Sequence, residues 1–117
     1  MITIYGIPNC DTVKKARAWL TEHDLAYTFH DFKKQGVPLG KLPTWVKAVG
    51  WDKLLNRQGT TWRNLDAASQ ASANTPQGAQ TLMMANSSVI KRPVVEWPNG
   101  DVTVGFDGAL WAEIAAT

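Results

Sequence analysis

The first 32 residues restrict the fold more than any other part of the chain. Ile2 to Tyr5 is a short β-rich run, closed by Gly6, Pro8 and Asn9, the punctuation of a strand ending in a turn. From Asp11 to Glu22 the period changes. Val13, Ala16 and Leu20 fall at i, i+3 and i+7, while Lys14, Lys15 and Arg17 face elsewhere, which predicts a helix. Asp11 or Thr12 in its first turn would complement the helix dipole. Ala26 to Phe32 then reads as a second strand, with apolar residues on both faces. Strand, helix and strand within about 30 residues have the length of a βαβ unit, whose strands run parallel and whose crossover is right-handed.

The middle of the chain is different in kind. Residues 38 to 86 hold no strand signal. Leu39, Leu42, Val46 and Val49 are helically spaced, Pro43 marks a helix start and Gly50 a stop. Trp51 to Leu55 reads as one further turn, and Asp66 to Ala73 as an alanine-rich surface helix. Thr75 followed by Pro76 is an N-cap with proline at the first helical position, opening a helix through Met84. β character returns with Pro93 to Trp97 and Val102 to Val104, joined by the turn residues Pro98-Asn99-Gly100-Asp101 into an antiparallel hairpin. Asp107 can cap a last helix carrying Leu110, Trp111 and Ile114. The order is βαβ, a helical insertion over about 38–86, then ββα. At 117 residues this fits one domain, 1–117.

Several classes of function are excluded. A hydrophobic fraction of 44% with six tryptophans is too apolar for a disordered chain. No apolar run approaches the ~18 residues of a membrane span, and the start, Met-Ile-Thr-Ile-Tyr-Gly, shows no secretory signal. The expectation is a soluble, cytoplasmic protein without a membrane partner. One cysteine rules out an internal disulfide framework and a cysteine-rich zinc site, and His23 and His30 lack metal-site spacing. A net charge of +2 without a basic stripe gives no sign of nucleic acid. Asn86-Ser87-Ser88 has the form of a glycosylation sequon, which means little without a signal peptide.

Chemistry then centres on Cys10. It follows the first strand and immediately precedes the helix, where unpaired N–H groups, the dipole and nearby Lys14 and Lys15 favour a nucleophilic thiolate. Lys91-Arg92-Pro93 opens a strand, and Arg92 offers a fork of donors to an anion. By X–Pro statistics, about 5–6% cis, the Arg92–Pro93 bond is expected to be trans. Arg57 and Arg63 sit in a loop-like stretch, Asn56-Arg57-Gln58-Gly59-Thr60-Thr61-Trp62-Arg63, which could hold a carboxylate or oxyanion.

Three of these stretches together carry a resemblance. Tyr5-Gly6-Ile7-Pro8-Asn9-Cys10-Asp11-Thr12-Val13-Lys14-Lys15-Ala16 resembles the start of the ArsC-like arsenate reductase family. Leu54 to Arg63 and Ile90-Lys91-Arg92-Pro93 resemble its YffB branch. The resemblance runs nearly end to end. It implies an α/β thioredoxin-like fold, a mixed four-stranded sheet with an inserted helical subdomain. It implies that Cys10 is the catalytic thiol and that Pro93 is a cis-proline beside it, against the statistical expectation.

Two departures shape the functional expectation. Thioredoxins and the related Spx regulators commonly carry Cys-x-x-Cys, but the fourth position here is Val13, so an external thiol must release any disulfide. The family's arsenate reductases surround the oxyanion with three arginines. Arg92 matches one, Arg57 lies within a residue of a second, and the third should fall in Val104-Gly105-Phe106-Asp107, which has none. The leading expectation is a glutathione-dependent thiol reductase without a permanently bound cofactor. Glutathione is the co-substrate, glutaredoxin a further partner, and a small thiol, disulfide or oxyanion the substrate. Arg92, Pro93 and the backbone of Val94, with Arg57 or Arg63, would bind glutathione. Arsenate reduction and an Spx-like regulatory module are the alternatives.

Overall fold

The computed structural model describes residues 1–38 and 40–116, so the expected helical role of Leu39 lies outside the described residues. The chain divides into two compact units, Met1–Phe32 with Arg92–Thr117, and Lys33–Lys91. The second unit is the expected insertion, slightly wider than 38–86.

The first unit begins as read. β1 (Ile2–Gly6) leads to α1 (Asp11–Glu22), and β2 (Tyr27–Asp31) returns parallel to β1, with Ile4 opposite Phe29. β2 is shorter than Ala26–Phe32. Phe32 starts a short helix, α2 (Phe32–Gln35), where the helix-tolerant run Lys33-Lys34-Gln35 takes over. After the insertion come β3 (Val94–Glu96) and β4 (Val102–Val104), both antiparallel to their neighbours, in the sheet order β2-β1-β3-β4. The hairpin turn closes on itself: Trp97 N–H donates to Asp101 O at 2.9 Å and Gly100 N–H to Trp97 O at 3.0 Å. Gly100 has φ 94°, a left-handed conformation that a side chain would disfavour.

Period-two alternation gives the sheet two faces. One carries Ile2, Ile4, Val95 and Trp97. These pack with Ala16 and Leu20 of α1 and with Trp111 of the last helix, Gly108–Ala115. That helix is capped by Asp107, whose carboxylate accepts from Leu110 N–H at 3.1 Å. Trp111 is fully buried and meets Trp19, Trp97 and Phe106 edge-on, at 5.6, 5.2 and 4.9 Å between ring centroids. Such tilted pairs suit the ring quadrupoles.

The second unit is built of short helices. α3 (Lys41–Val49) begins two residues before Pro43 and ends at Gly50. It is followed by α4 (Trp51–Leu54), α5 (Thr60–Arg63), α6 (Ala67–Ser72) and α7 (Pro76–Ala85). α5 corrects the reading of 56–63 as loop throughout. Asp66 caps α6 through Ser69 N–H at 2.7 Å, and Thr75 caps α7 through Gly78 N–H at 3.0 Å. Leu42, Trp45, Leu54, Ala79, Met83 and Ile90 are buried in its interior. With the last helix of the first unit named α8, no helix among the described residues is long and apolar enough to cross a membrane.

Candidate functional site

Cys10 is the N-cap residue of α1. Its backbone is extended, with φ −128° and ψ 125°, and its carbonyl accepts the first helical bond, from Lys14 N–H at 2.9 Å. No side chain caps this end, so the first-turn N–H groups remain available to negative charge. The thiol is free and half-buried. Lys14 and Lys15 are exposed on the same helix. One turn into the helix, Val13 is fully buried behind the end of β1. A Cβ on Gly6 would lie 2.8 Å from Val13 Cγ2, so glycine is what lets the branched side chain close this corner. The place where a Cys-x-x-Cys protein keeps its second thiol is therefore filled with hydrocarbon.

β3 starts beside the same end of β1. Tyr5 pairs with Val94, so one step further along the register sets Pro93 beside Gly6, while Asp31 lies opposite Gly6 on β2. The Arg92–Pro93 bond is cis, which overturns the statistical expectation of trans and agrees with the resemblance. Pro93 is buried, and its carbonyl accepts from Gly105 N–H at 2.9 Å. Val94 corrects the expected role of its backbone. It is fully buried and sits inside the sheet between Tyr5 and Val104, so it offers no open edge to a peptide. Arg92 is half-exposed, with Nε itself buried.

Behind this end, on the sheet face opposite the core, Tyr5 donates a 2.7 Å hydrogen bond to Glu96 Oε1 and its ring lies 5.0 Å from that of His30. Burial and the adjacent carboxylate hold the Tyr5 phenol above its ordinary pKa. No sequence signal links two residues that are 91 positions apart, and only the strand register brings them together.

The other two arginines belong to the second unit. Arg57 is clamped: its Nη1 lies 2.6 Å from Asp52 Oδ1, and its guanidinium is 5.5 and 5.9 Å from the ring centres of Trp51 and Trp62. It lines a polar hollow of about 240 Å³ together with Lys53, Asn56, Gln58 and Lys91. The hollow rests on a β-bridge between Leu55 and Ile90, with Asn56 N–H donating to Val89 O and Lys91 N–H to Leu54 O. Arg63 ends α5 and is exposed. The structure thus gathers Cys10, Arg92, Pro93 and Val94 at one end of one sheet and places Arg57 and Arg63 in the separate helical unit. Among the described residues no group of His, Cys, Asp and Glu is arranged to hold a metal ion.

Comparison with known proteins agrees with this geometry. A YFFB protein of solved structure is 45% identical, superposes with a TM-score of 0.90, and is covered over 97% of this chain and 98% of its own. An arsenate reductase (ArsC) related protein from Brucella melitensis is 46% identical with a TM-score of 0.74, over 96% of this chain and 92% of its own. An uncharacterized protein of Haemophilus influenzae is 41% identical over 107 residues, 92% of each chain. The ArsC family profile matches residues 5–114, and with the cysteine at the helix start and the cis-proline strand beside it, the chain belongs to the ArsC family.

Proposed function

We propose that this protein is a glutathione-dependent thiol reductase that works through Cys10 alone. The observation that carries the reading is the seat of Cys10: a half-buried thiol at an uncapped helix start, beside the strand opened by cis-Pro93. The thiolate attacks the glutathionyl sulfur of a mixed disulfide. The Cys10–glutathione S–S bond forms, the old S–S bond breaks, and the substrate leaves as its thiolate, which takes up a proton. A second glutathione thiolate then attacks the adduct, releasing glutathione disulfide and restoring Cys10. The net exchange consumes one mixed disulfide and one glutathione and yields one thiol and one glutathione disulfide.

Arg92 is the proposed anchor for a glutathione carboxylate, because it leads into β3 at the sheet end that Cys10 follows. Arg57 exchanges its Asp52 contact for a ligand only if that ion pair opens. Arsenate is disfavoured as substrate. An oxyanion needs several convergent donors, the returning strand ends at Val104 and is followed by Gly105 and Phe106, and loss of one such donor typically costs on the order of 100- to 1000-fold in rate.

The test pairs mass spectrometry with turnover. Treated with glutathione disulfide, the protein should gain one glutathionyl adduct on Cys10 that excess glutathione removes. Cys10→Ser should gain none, lose thiol transfer and keep its fold. Reduction of a small glutathione mixed disulfide should exceed arsenate reduction, with glutathione and glutaredoxin present in both assays. Efficient arsenate turnover that depends on Arg92 would replace this reading with arsenate reduction.

A further inference from the structure

At the opposite end of the sheet from Cys10, the first unit carries an apolar cavity of about 110 Å³, lined by Ile2, Leu25, Trp97, Pro98 and Ile114 with Asn99 at its margin. None of its lining residues is charged. Its floor is fixed: Ile2 and Trp97 are buried, and the Trp97 indole N–H is already committed to Thr103 Oγ1 at 3.0 Å. Apolar cavities of roughly 150 Å³ accept a benzene ring, so this space suits one branched aliphatic side chain.

The charge around it is one-sided. Residues 18–32 and 93–117 contain seven Asp and Glu and no Lys or Arg; of the seven, Asp31 lies at the Cys10 end and Glu96 is bonded to Tyr5 on the other sheet face. Three of these acids adjoin the cavity and are exposed. Asp101 accepts from Asn99 Nδ2 at 3.1 Å, Asp24 shares a neighbouring hollow with Leu25, and Glu113 precedes Ile114. The nearby opposing charge is Arg17, which is held back against β2, its Nε donating to the Tyr27 hydroxyl at 3.2 Å. Most of the basic residues lie elsewhere: Lys33–Lys91 holds eight of the twelve Lys and Arg, against two Asp.

We propose that this surface docks a basic segment of a partner protein, which inserts one apolar side chain into the cavity while its lysines or arginines meet Asp24, Asp101 and Glu113. The lining has one polar side chain, Asn99, which is bonded to Asp101, and the carboxylate rim repels an anion, so neither a small oxyanion nor an acidic peptide fits. A second copy of this chain would have to engage head to tail, a contact that repeats into open chains rather than closing. The surface is remote from Cys10 along β1, so the proposal is independent of the thiol chemistry.

The test uses the full-length, isotope-labelled chain and three cysteine-free peptides: Lys-Lys-Leu-Lys-Lys, its Glu-for-Lys counterpart, and Lys-Lys-Ser-Lys-Lys. The lysine–leucine peptide should shift the amide signals of Ile2, Leu25 and Ile114 and the indole signal of Trp97, and bind more weakly as salt screens the rim. The serine peptide should bind at least roughly tenfold more weakly, since it buries no side chain. Asp24→Asn and Glu113→Gln should each weaken binding roughly two- to fivefold, and Cys10→Ser should leave it unchanged. Absence of these shifts, equal binding of the glutamate peptide, or equal binding of the serine peptide would overturn the proposal. So would self-association in sedimentation that shifts the same signals without peptide, because the occupant would then be a second copy.

Discussion

The corner at Gly6 shows how one missing carbon makes room for a branched side chain next to the start of α1. With Cγ2 of Val13 2.8 Å from where a Cβ would stand, Gly6→Ala must push a β-branched side chain that has little rotamer freedom. The expected cost is about 1–3 kcal/mol in urea unfolding, with the proposed thiol transfer reduced further as the start of α1 shifts. Adding Val13→Ala should restore part of the stability, since it removes the atoms in the way. Tyr5 makes a prediction about pH. Its folded-state pKa is raised by burial first and by Glu96 second, so the neutral phenol is favoured in the fold. That contribution is complete below the ordinary tyrosine value of about 10 and is lost as pH climbs above it. Tyr5→Phe should cost about 1 kcal/mol at neutral pH and flatten the alkaline decline seen in denaturation curves.

Elements differ in how openly the sequence announced them. β1, α1 and the hairpin declared themselves through local signals: a turn after Tyr5, apolar spacing at Val13, Ala16 and Leu20, and Asn99-Gly100 between two apolar runs. Cys10 was legible for the same reason, because a strand end and a helix start define its seat within a few residues. α2 and α5 were missed because four-residue helices lack a full period of apolar spacing. The clamp on Arg57 was hidden because Trp51, Asp52 and Trp62 reach it only after α4 and α5 are placed. The cis bond before Pro93 was legible only through family resemblance, since the residues alone favour trans. The junction of α6 and α7 gives a test at this scale. Glycine in a helix is ordinarily improved by alanine. At Gly78 the new Cβ would fall on the carbonyl oxygen of Ser72, a backbone atom with nowhere to move. Gly78→Ala should therefore lower the thermal midpoint, by roughly 2 kcal/mol or more in stability, where helix propensity alone predicts a gain.

The molecule as a whole concentrates its first unit's packing on Trp111. Three aromatic rings meet it edge-on, and its Nε1 is buried with no hydrogen-bond acceptor among the described residues. Trp111→Ala should cost about 3–5 kcal/mol, a large share of the roughly 5–15 kcal/mol by which such a domain is stable, read from chemical denaturation. The hydrocarbon at Val13 acts at the same scale, but on equilibrium rather than packing. A protein that closes its own dithiol releases two small thiols for each disulfide consumed, so its oxidised fraction changes when the whole thiol pool is diluted. With Val13 where a second sulfur would stand, each exchange proposed at Cys10 trades one small disulfide for one small thiol. The occupied fraction of Cys10 then follows the plain ratio of disulfide to thiol, and diluting both tenfold leaves it where it was.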